Sequence, residues 1–358
     1  MSAPPDVAII GGGILGCAAA AFLAEAGVKV DLYERDEVGS AASGRNSGSV
    51  QHPFDPVMAD LHAETLSIFR DLDEFDLPEE PGGVLMLSEE RTPLDAAAHE
   101  IARDAPELDP TVLDPGEVHS LEPSVADGLW GCRLRTGYAV RPAAATRALA
   151  RRAYGAGARF HEHETAWPWV TGGRARGVLS GGVRRPAGAV LVTAGPWTPE
   201  LVDTTRTWQP IVPVWGVVAD IELPEPPRHV LEEVGVEDVA AGGPGSIFSL
   251  VPAGERSSLG STFLSEAPDP DAWEGRLRRG GRRFVPSLAR AEVVGLRACA
   301  RPQSLDGRPL LGELEQNLWV AAGHGPWGIS TGPATARVVV DALLERAEVP
   351  APLSAGRF

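Results

Sequence analysis

The sequence predicts an α/β fold of about two domains that opens with a βαβ unit. Three observations predict it. Val7-Ala8-Ile9-Ile10 is a short apolar run closed by glycine, the pattern of a buried parallel strand. An alanine-rich helical stretch and a second apolar run, Val28 to Tyr33, follow at once. The length, 358 residues, exceeds what one ordinary core fills.

The remaining elements follow in order. Residues 14–26 read as the first helix, stopped by Gly27. Residues 58–75 carry apolar side chains at helical spacing (Met58, Leu61, Leu66, Phe69, Leu72). Residues 81–137 are mixed: Val84-Leu85-Met86-Leu87 reads as a strand, and Pro- and Asp-rich turns follow. A helix is expected over 142–157, opened by Pro142 and stopped by Gly155 and Gly157. Val190 to Thr193 is another buried strand, ended by Ala194-Gly195-Pro196. Residues 211–263 alternate strand-like runs with turns (Val214 to Ile221, Ile247 to Val251, Ser258 to Phe263). A basic helix over 271–285, a last strand over Leu318 to Ala322 and a closing helix over 331–346 complete the chain.

The composition narrows the function classes. The net charge is −17, which disfavours nucleic acid or an anionic membrane as a partner. An anionic substrate must therefore meet locally placed arginines. Lys29 is the only lysine, so any other position that needs one cannot have it. Cys17, Cys132 and Cys299 are odd in number and widely spaced, which predicts reduced thiols and no zinc site. Met1 to Asp6 has no basic segment, and no run of 18 apolar residues occurs. The expectation is a cytoplasmic protein with no membrane span.

Gly11-Gly12-Gly13-Ile14-Leu15-Gly16 satisfies G-x-G-x-x-G between a strand and a helix, and the second strand ends in the acid Glu34. Each part has a physical task. Gly11 makes the tight turn, Gly13 lets backbone approach a pyrophosphate, and Gly16 packs helix against strand. The helix N-terminus at Ile14 faces the phosphates. Glu34 accepts bonds from ribose hydroxyls and disfavours a 2′-phosphate. The motif leaves NAD and FAD open. The polar loop after Glu34-Arg35, Ser40 to Gly48, decides for FAD, because it suits a second phosphate and a ribityl chain.

At this point the chain resembles the D-amino-acid-oxidase-like FAD-dependent oxidoreductases, the glycine and sarcosine oxidase type. The matching segments are Val7 to Glu34, Ser43-Gly44-Arg45-Asn46-Ser47-Gly48, Thr136 to Pro142, Leu191 to Trp197, Arg301 to Gly312 and Ala322 to Ile329. The resemblance implies a Rossmann-type FAD-binding domain with a second α+β substrate domain built on an antiparallel sheet. The first would comprise 1–80, 138–210 and 295–358, the second 81–137 and 211–294. Ser43, Arg45, Asn46, Ser47, Ala194, Gly195, Gly325, Gly328, Ile329 and Ser330 would join Gly11, Gly13, Ile14, Gly16, Glu34 and Arg35 in holding FAD.

The resemblance also points to reacting residues. Arg301 matches an arginine that holds a substrate carboxylate, which suits a bidentate guanidinium; a structural arginine is the alternative. The tyrosine that glycine oxidases supply from the central strands is missing, since Tyr33, Tyr138 and Tyr154 lie elsewhere. The lysine that activates oxygen in sarcosine oxidases is missing from Ser257 to Thr262. The electron acceptor is therefore dioxygen or unknown. Cys299 precedes Asp306 by seven residues, the offset at which sarcosine-oxidase-like proteins attach FAD covalently. Arg297 and Arg301 would lower its pKa; a small buried core cysteine is the favoured alternative. His52 and His324 are candidate groups facing substrate, and Trp327 and Trp215 candidate pocket walls.

These readings converge on oxidation of a C–N bond in a small amino acid or secondary amine by hydride transfer to flavin N5. One alternative is a 2-hydroxy-acid oxidase or dehydrogenase, which needs His52 or His324 as a base. Others are a tailoring enzyme and a flavoprotein subunit that passes electrons to a partner.

Overall fold

A computed structural model of the chain describes residues 4–235, 245–254 and 256–358. Met1 to Ala3, part of the N-terminal expectation, lie outside the described residues. Two large sheets organise the molecule. The first has six strands in the order Leu310–Glu315, Leu318–Ala322, Ala189–Val192, Val7–Ile10, Val30–Tyr33 and Arg159–His161. All neighbours are parallel except the edge strand Leu310–Glu315. Val7–Ile10 and Val30–Tyr33 are buried throughout, as strands covered on both faces must be. Val7 and Ile9 pack into a core with the helices Ile14–Glu25, Ala144–Gly155 and Gly328–Leu343. Ala8 and Ile10 face a three-stranded antiparallel sheet formed by Ala166–Val170, Ala175–Ser180 and Val183–Pro186.

The second sheet has eight strands: Glu292–Ser304, Ile211–Glu222, Arg256–Phe263, Gly245–Ala253, Val230–Glu233, Val84–Ser88, Trp130–Leu134 and Thr111–Leu113. It is antiparallel except where Val84–Ser88 meets Val230–Glu233. Its two faces differ by strand alternation. Val217, Ala219, Leu231, Phe248 and Leu250 pack under the helix Asp271–Gly281 in a core. Val214, Val218, Glu232, Ile247 and Ser249 face the opposite way, into a cavity.

Several expected elements shift in extent. The helix expected over 58–75 is Pro56–Arg70; Asp55 caps it by accepting from Val57 N at 2.8 Å. Phe75 lies beyond its end and returns onto Phe69 with ring centres 5.0 Å apart, which explains the apolar spacing out to 75. The helix expected over 271–285 ends at Gly281, and the closing helix begins at Gly328, three residues early. The region 81–137 holds two unexpected helices, Arg91–Asp104 and Pro115–Leu121. The latter carries a capping box between Asp114 and Glu117. The three-stranded sheet over 166–186 and the strand Glu292–Ser304 were also not anticipated. That strand crosses the boundary expected at residues 294/295.

Candidate active site

A cavity of about 1250 Å3 opens between the two sheets. It exceeds the usual range for one small ligand and has room for a dinucleotide with a substrate. The N-termini of two helices, Ile14–Glu25 and Gly328–Leu343, border it, and neither has an acidic residue in its first turn. Their positive ends therefore favour negative charge in the cavity.

The glycine turn is built by close contact. Gly11 has φ +112°, and a Cβ there would sit 2.6 Å from the Thr193 carbonyl. A Cβ on Gly16 would overlap the Gly11 carbonyl at 1.9 Å. Gly16 therefore packs helix on strand and stands outside the cavity lining. Gly13 borders the cavity, and its missing Cβ would meet only the Ser43 side chain, with the hydroxyl nearest at 3.0 Å. Glu34 accepts from Gly12 N at 2.7 Å and Asp36 N at 2.9 Å. These bonds fix the carboxylate at the cavity wall with lone pairs to spare for ribose hydroxyls. Arg35 lies over the Trp197 ring at 4.8 Å beside the same end.

The loop Ser43 to Ser47 is tied to both halves of the molecule. Ile14 N donates to the Ser43 hydroxyl at 2.9 Å. Asn46 closes the turn by donating to Ser43 O at 2.8 Å and accepting from Gly48 N at 2.8 Å. Arg45 Nη1 donates to Ala298 O at 3.2 Å, and Arg297 donates to Asn46 O at 3.0 Å and Ser258 Oγ at 2.8 Å. Arg297 also pairs with Asp220. Among the cofactor residues read from sequence, Ala194, Gly195, Gly325, Gly328 and Ile329 border the cavity. Ser330 does not; its hydroxyl accepts from Gln51 N at 3.0 Å. The cradle of glycines, the two helix ends and the held carboxylate of Glu34 fit FAD.

Arg301 enters the cavity over a gap that the sequence reading did not register. A Cβ on Gly216 would lie 2.5 Å from its guanidinium, so only glycine leaves room for this path. Nη1 donates to Thr262 O at 2.9 Å, Nη2 donates to Ser261 Oγ at 2.6 Å, and the Phe263 ring lies 4.7 Å below. Among the described residues no carboxylate pairs with Arg301. Burial pulls its pKa down. A desolvated guanidinium with donors to spare favours an incoming anion.

The two histidines part company. His52 does not border the cavity. Its backbone N donates to Thr136 Oγ1 at 2.8 Å, Phe54 N donates to its Nδ1 at 3.1 Å, and Nε2 lies 3.4 Å from Glu107. His52 thus packs behind the site and cannot reach a ligand in it. His324 does border the cavity. Thr335 donates its one hydroxyl proton to Gly332 O at 2.8 Å, so His324 Nε2, 2.7 Å from that oxygen, carries a proton and donates. Nδ1 is left as a buried acceptor without a partner among the described residues. Burial pushes the His324 pKa down to about 3.

This shift has a consequence for stability. The folded pKa lies below the ordinary 6.5, so the unfolded chain binds the extra proton first on acidification. The contribution is complete above pH 6.5 and is lost as pH falls toward 3. His62, pushed down to about 4 mainly by burial, acts in the same direction. Thermal unfolding should therefore show a Tm that falls below pH 6.5, with a shallower fall in His324→Gln. An equal slope in the variant would remove His324 from this account.

Cys299 borders the cavity, and its thiol donates to Arg45 O at 3.7 Å. Burial raises its pKa, and this outweighs the lowering by Arg301, Arg297 and Arg45. The expected depression of this thiol by the arginines is thus corrected. Trp327 walls the cavity edge-on to Phe54, with ring centres 6.0 Å apart. Trp215 does not border it. Of the tyrosines only Tyr33 borders the cavity, near Glu34, and Lys29 does not. Glu232 and Gln51 were missed. Glu232 sits on the four-residue strand Val230–Glu233, too short to reveal which of two adjacent acids points inward.

Comparison with known proteins agrees with this geometry. The FAD-dependent oxidoreductase family DAO matches residues 6–342. A glycine oxidase from Pseudomonas aeruginosa is 28% identical over 98% of this chain and 99% of its own length. The crystal structure of glycine oxidase from Geobacillus kaustophilus superposes with a TM-score of 0.84 at 26% identity, covering 99% of each chain. Iminodiacetate oxidase from a Chelativorans species gives a TM-score of 0.83 at 25% identity over 97% of this chain and 98% of that one. The chain is thus an FAD-dependent amine or amino-acid oxidase or dehydrogenase of the glycine-oxidase type, and it belongs to the DAO family of FAD-dependent oxidoreductases.

Proposed function

We propose that the protein oxidises the C–N bond of a small amino acid or N-substituted glycine, with the substrate carboxylate held by Arg301. The observation that carries this reading is the buried guanidinium on the second sheet, which has no carboxylate partner among the described residues. Bound FAD supplies the hydride acceptor at N5. The sheet carrying Arg301, Ser261 and Glu232 would form the substrate side. The glycine turn, Glu34 and the Ser43 to Ser47 loop would form the cofactor side. On this reading 1–80, 138–210 and 295–358 make the cofactor domain, and 81–137 and 211–294 the substrate domain.

Trp327 and Phe54 would exclude water and limit the substrate's size. The position of His52 and the low basicity of His324 argue against either as the base that a 2-hydroxy acid requires. Product analysis on the purified single chain with a dye acceptor tests the proposal. It expects ammonia or a primary amine, together with the matching 2-oxo acid. Turnover of 2-hydroxy acids alone, without nitrogen release, would move the reaction to a C–O bond. An absence of turnover with small amino acids, secondary amines and 2-hydroxy acids alike would leave an electron-transfer subunit as the better reading.

The same proposal leaves FAD noncovalent. The thiolate that attack on the flavin requires is disfavoured at Cys299 by burial. Acid precipitation should therefore leave the yellow colour in the supernatant. Yellow protein in the pellet would show that Cys299 is the attachment site.

A further inference from the structure

Glu232 is a cavity carboxylate without a cationic partner among the described residues. Its neighbour Glu233 faces the other way, where it accepts from Phe248 N at 3.2 Å and pairs with Arg283. Strand alternation leaves Glu232 facing the ligand space. Among the described residues its one hydrogen bond comes from Gln51 Nε2 at 3.4 Å, from the side of the flavin loop.

Sheet register places this acid relative to Arg301. Glu232 lies opposite Ser249, and Ser249 lies opposite Gly260, the residue before Ser261. Ser261 accepts from Arg301, so the guanidinium ends over the strand Arg256–Phe263. Two strand spacings separate that strand from Glu232, so the backbones are roughly 10 Å apart. An α-amino acid carries its two charges a few ångströms apart, so one molecule lying across these strands could meet both groups through charge-assisted hydrogen bonds. The cavity therefore presents a cation and an anion on one sheet face, with the ligand space between them.

We propose that Glu232 takes the substrate's amino group: its carboxylate pairs with the ammonium while Arg301 holds the carboxylate, and it accepts the proton that leaves nitrogen. This rests on the amino-acid reading given above. The ammonium N–H bond breaks, an O–H bond forms on Glu232, and nitrogen keeps its electron pair. That pair would then be free to form the C=N bond, with the Cα hydrogen leaving as hydride to the two-electron oxidant, FAD, that the site would hold. Burial pushes the Glu232 carboxyl up to about 7, against the weaker lowering by Gln51, so near neutral pH it can both take and release a proton. The pairing also selects amino acids over carboxylic acids of the same shape.

Titration of the FAD-loaded full-length protein, followed by the flavin spectrum, tests this with ligands that lack a Cα hydrogen or an amine. The probes are 2-aminoisobutyrate, isobutyrate and 2-hydroxyisobutyrate. Wild type should bind 2-aminoisobutyrate tighter than isobutyrate by roughly tenfold or more. Glu232→Gln should bring that ratio near one while isobutyrate affinity holds, and Glu232→Asp should keep part of the preference. The Asp variant and the wild-type ratio stand on their own if the Gln variant loses FAD. An unchanged ratio in either variant overturns the role of Glu232. So does a wild type that prefers 2-hydroxyisobutyrate. If isobutyrate binds and the amino group adds nothing, only Glu232 is wrong and the Arg301 clamp survives. If none of the three perturbs the flavin, the amino-acid reading falls with it.

Discussion

Arg301→Ala is expected to lower the rate of flavin reduction per unit of substrate by about two to four orders of magnitude. The guanidinium is buried and has no counter-charge among the described residues, so a substrate carboxylate would be its ion-pair partner. Removing one side of a buried pair costs about 3–5 kcal/mol, because the other charge is left desolvated and alone. Arg301→Lys should recover part of the loss, since charge returns without the bidentate fork. FAD content should stay near wild type in both variants. Arg301 donates to Thr262 O and Ser261 Oγ and to no group of the glycine turn. A weakened flavin complex with intact turnover per bound flavin would contradict the clamp and return Arg301 to a structural role.

The second large effect is a contrast between two glycines three residues apart. Gly13→Val should leave a folded protein that has lost most of its FAD. Its new side chain displaces only the Ser43 hydroxyl and otherwise fills the space over the helix N-terminus. Overpacking of this kind costs about 1–3 kcal/mol, equivalent to roughly tenfold to a hundredfold weaker binding. Gly16→Val should instead fail to fold, because its Cβ would overlap the Gly11 backbone at 1.9 Å. Circular dichroism separates the two outcomes from flavin content. Two equally folded variants with equal flavin would contradict the assignment of one glycine to the ligand and the other to helix packing.

The N-terminal unit was legible because its constraints are local. A strand, a turn that only glycine can make and a terminal acid sit within 34 residues, and each leaves its mark on residue type. Arg301 and the Gly325 to Ile329 turn were legible only through a longer pattern shared with a family. What stayed hidden depends on sheet order. Glu232, Ser249, Ser261 and Arg301 come from four strands that the chain reaches at widely separated points. No periodicity within one segment says that they share a face. Gly216 was overlooked for the same reason, since its need is set by the path of a side chain 85 positions away. His52 misled because closeness in sequence to the flavin loop was read as closeness to the ligand. Gln51, Pro53 and Phe54 border the cavity, but the His52 side chain between them turns away and packs against His62 with ring centres 5.6 Å apart. The strand Glu292–Ser304 was missed because its arginines interrupt the apolar alternation, and they do so to hold the flavin loop and the ligand space.

The most direct test of the central claim is an anaerobic titration of the FAD-loaded protein, read at the flavin absorbance band. The panel would hold glycine, sarcosine, D- and L-amino acids and 2-hydroxy acids. The account predicts bleaching by at least one small amino acid or secondary amine and none by the hydroxy acids. Bleaching by a hydroxy acid alone, with every amine inert, would contradict it.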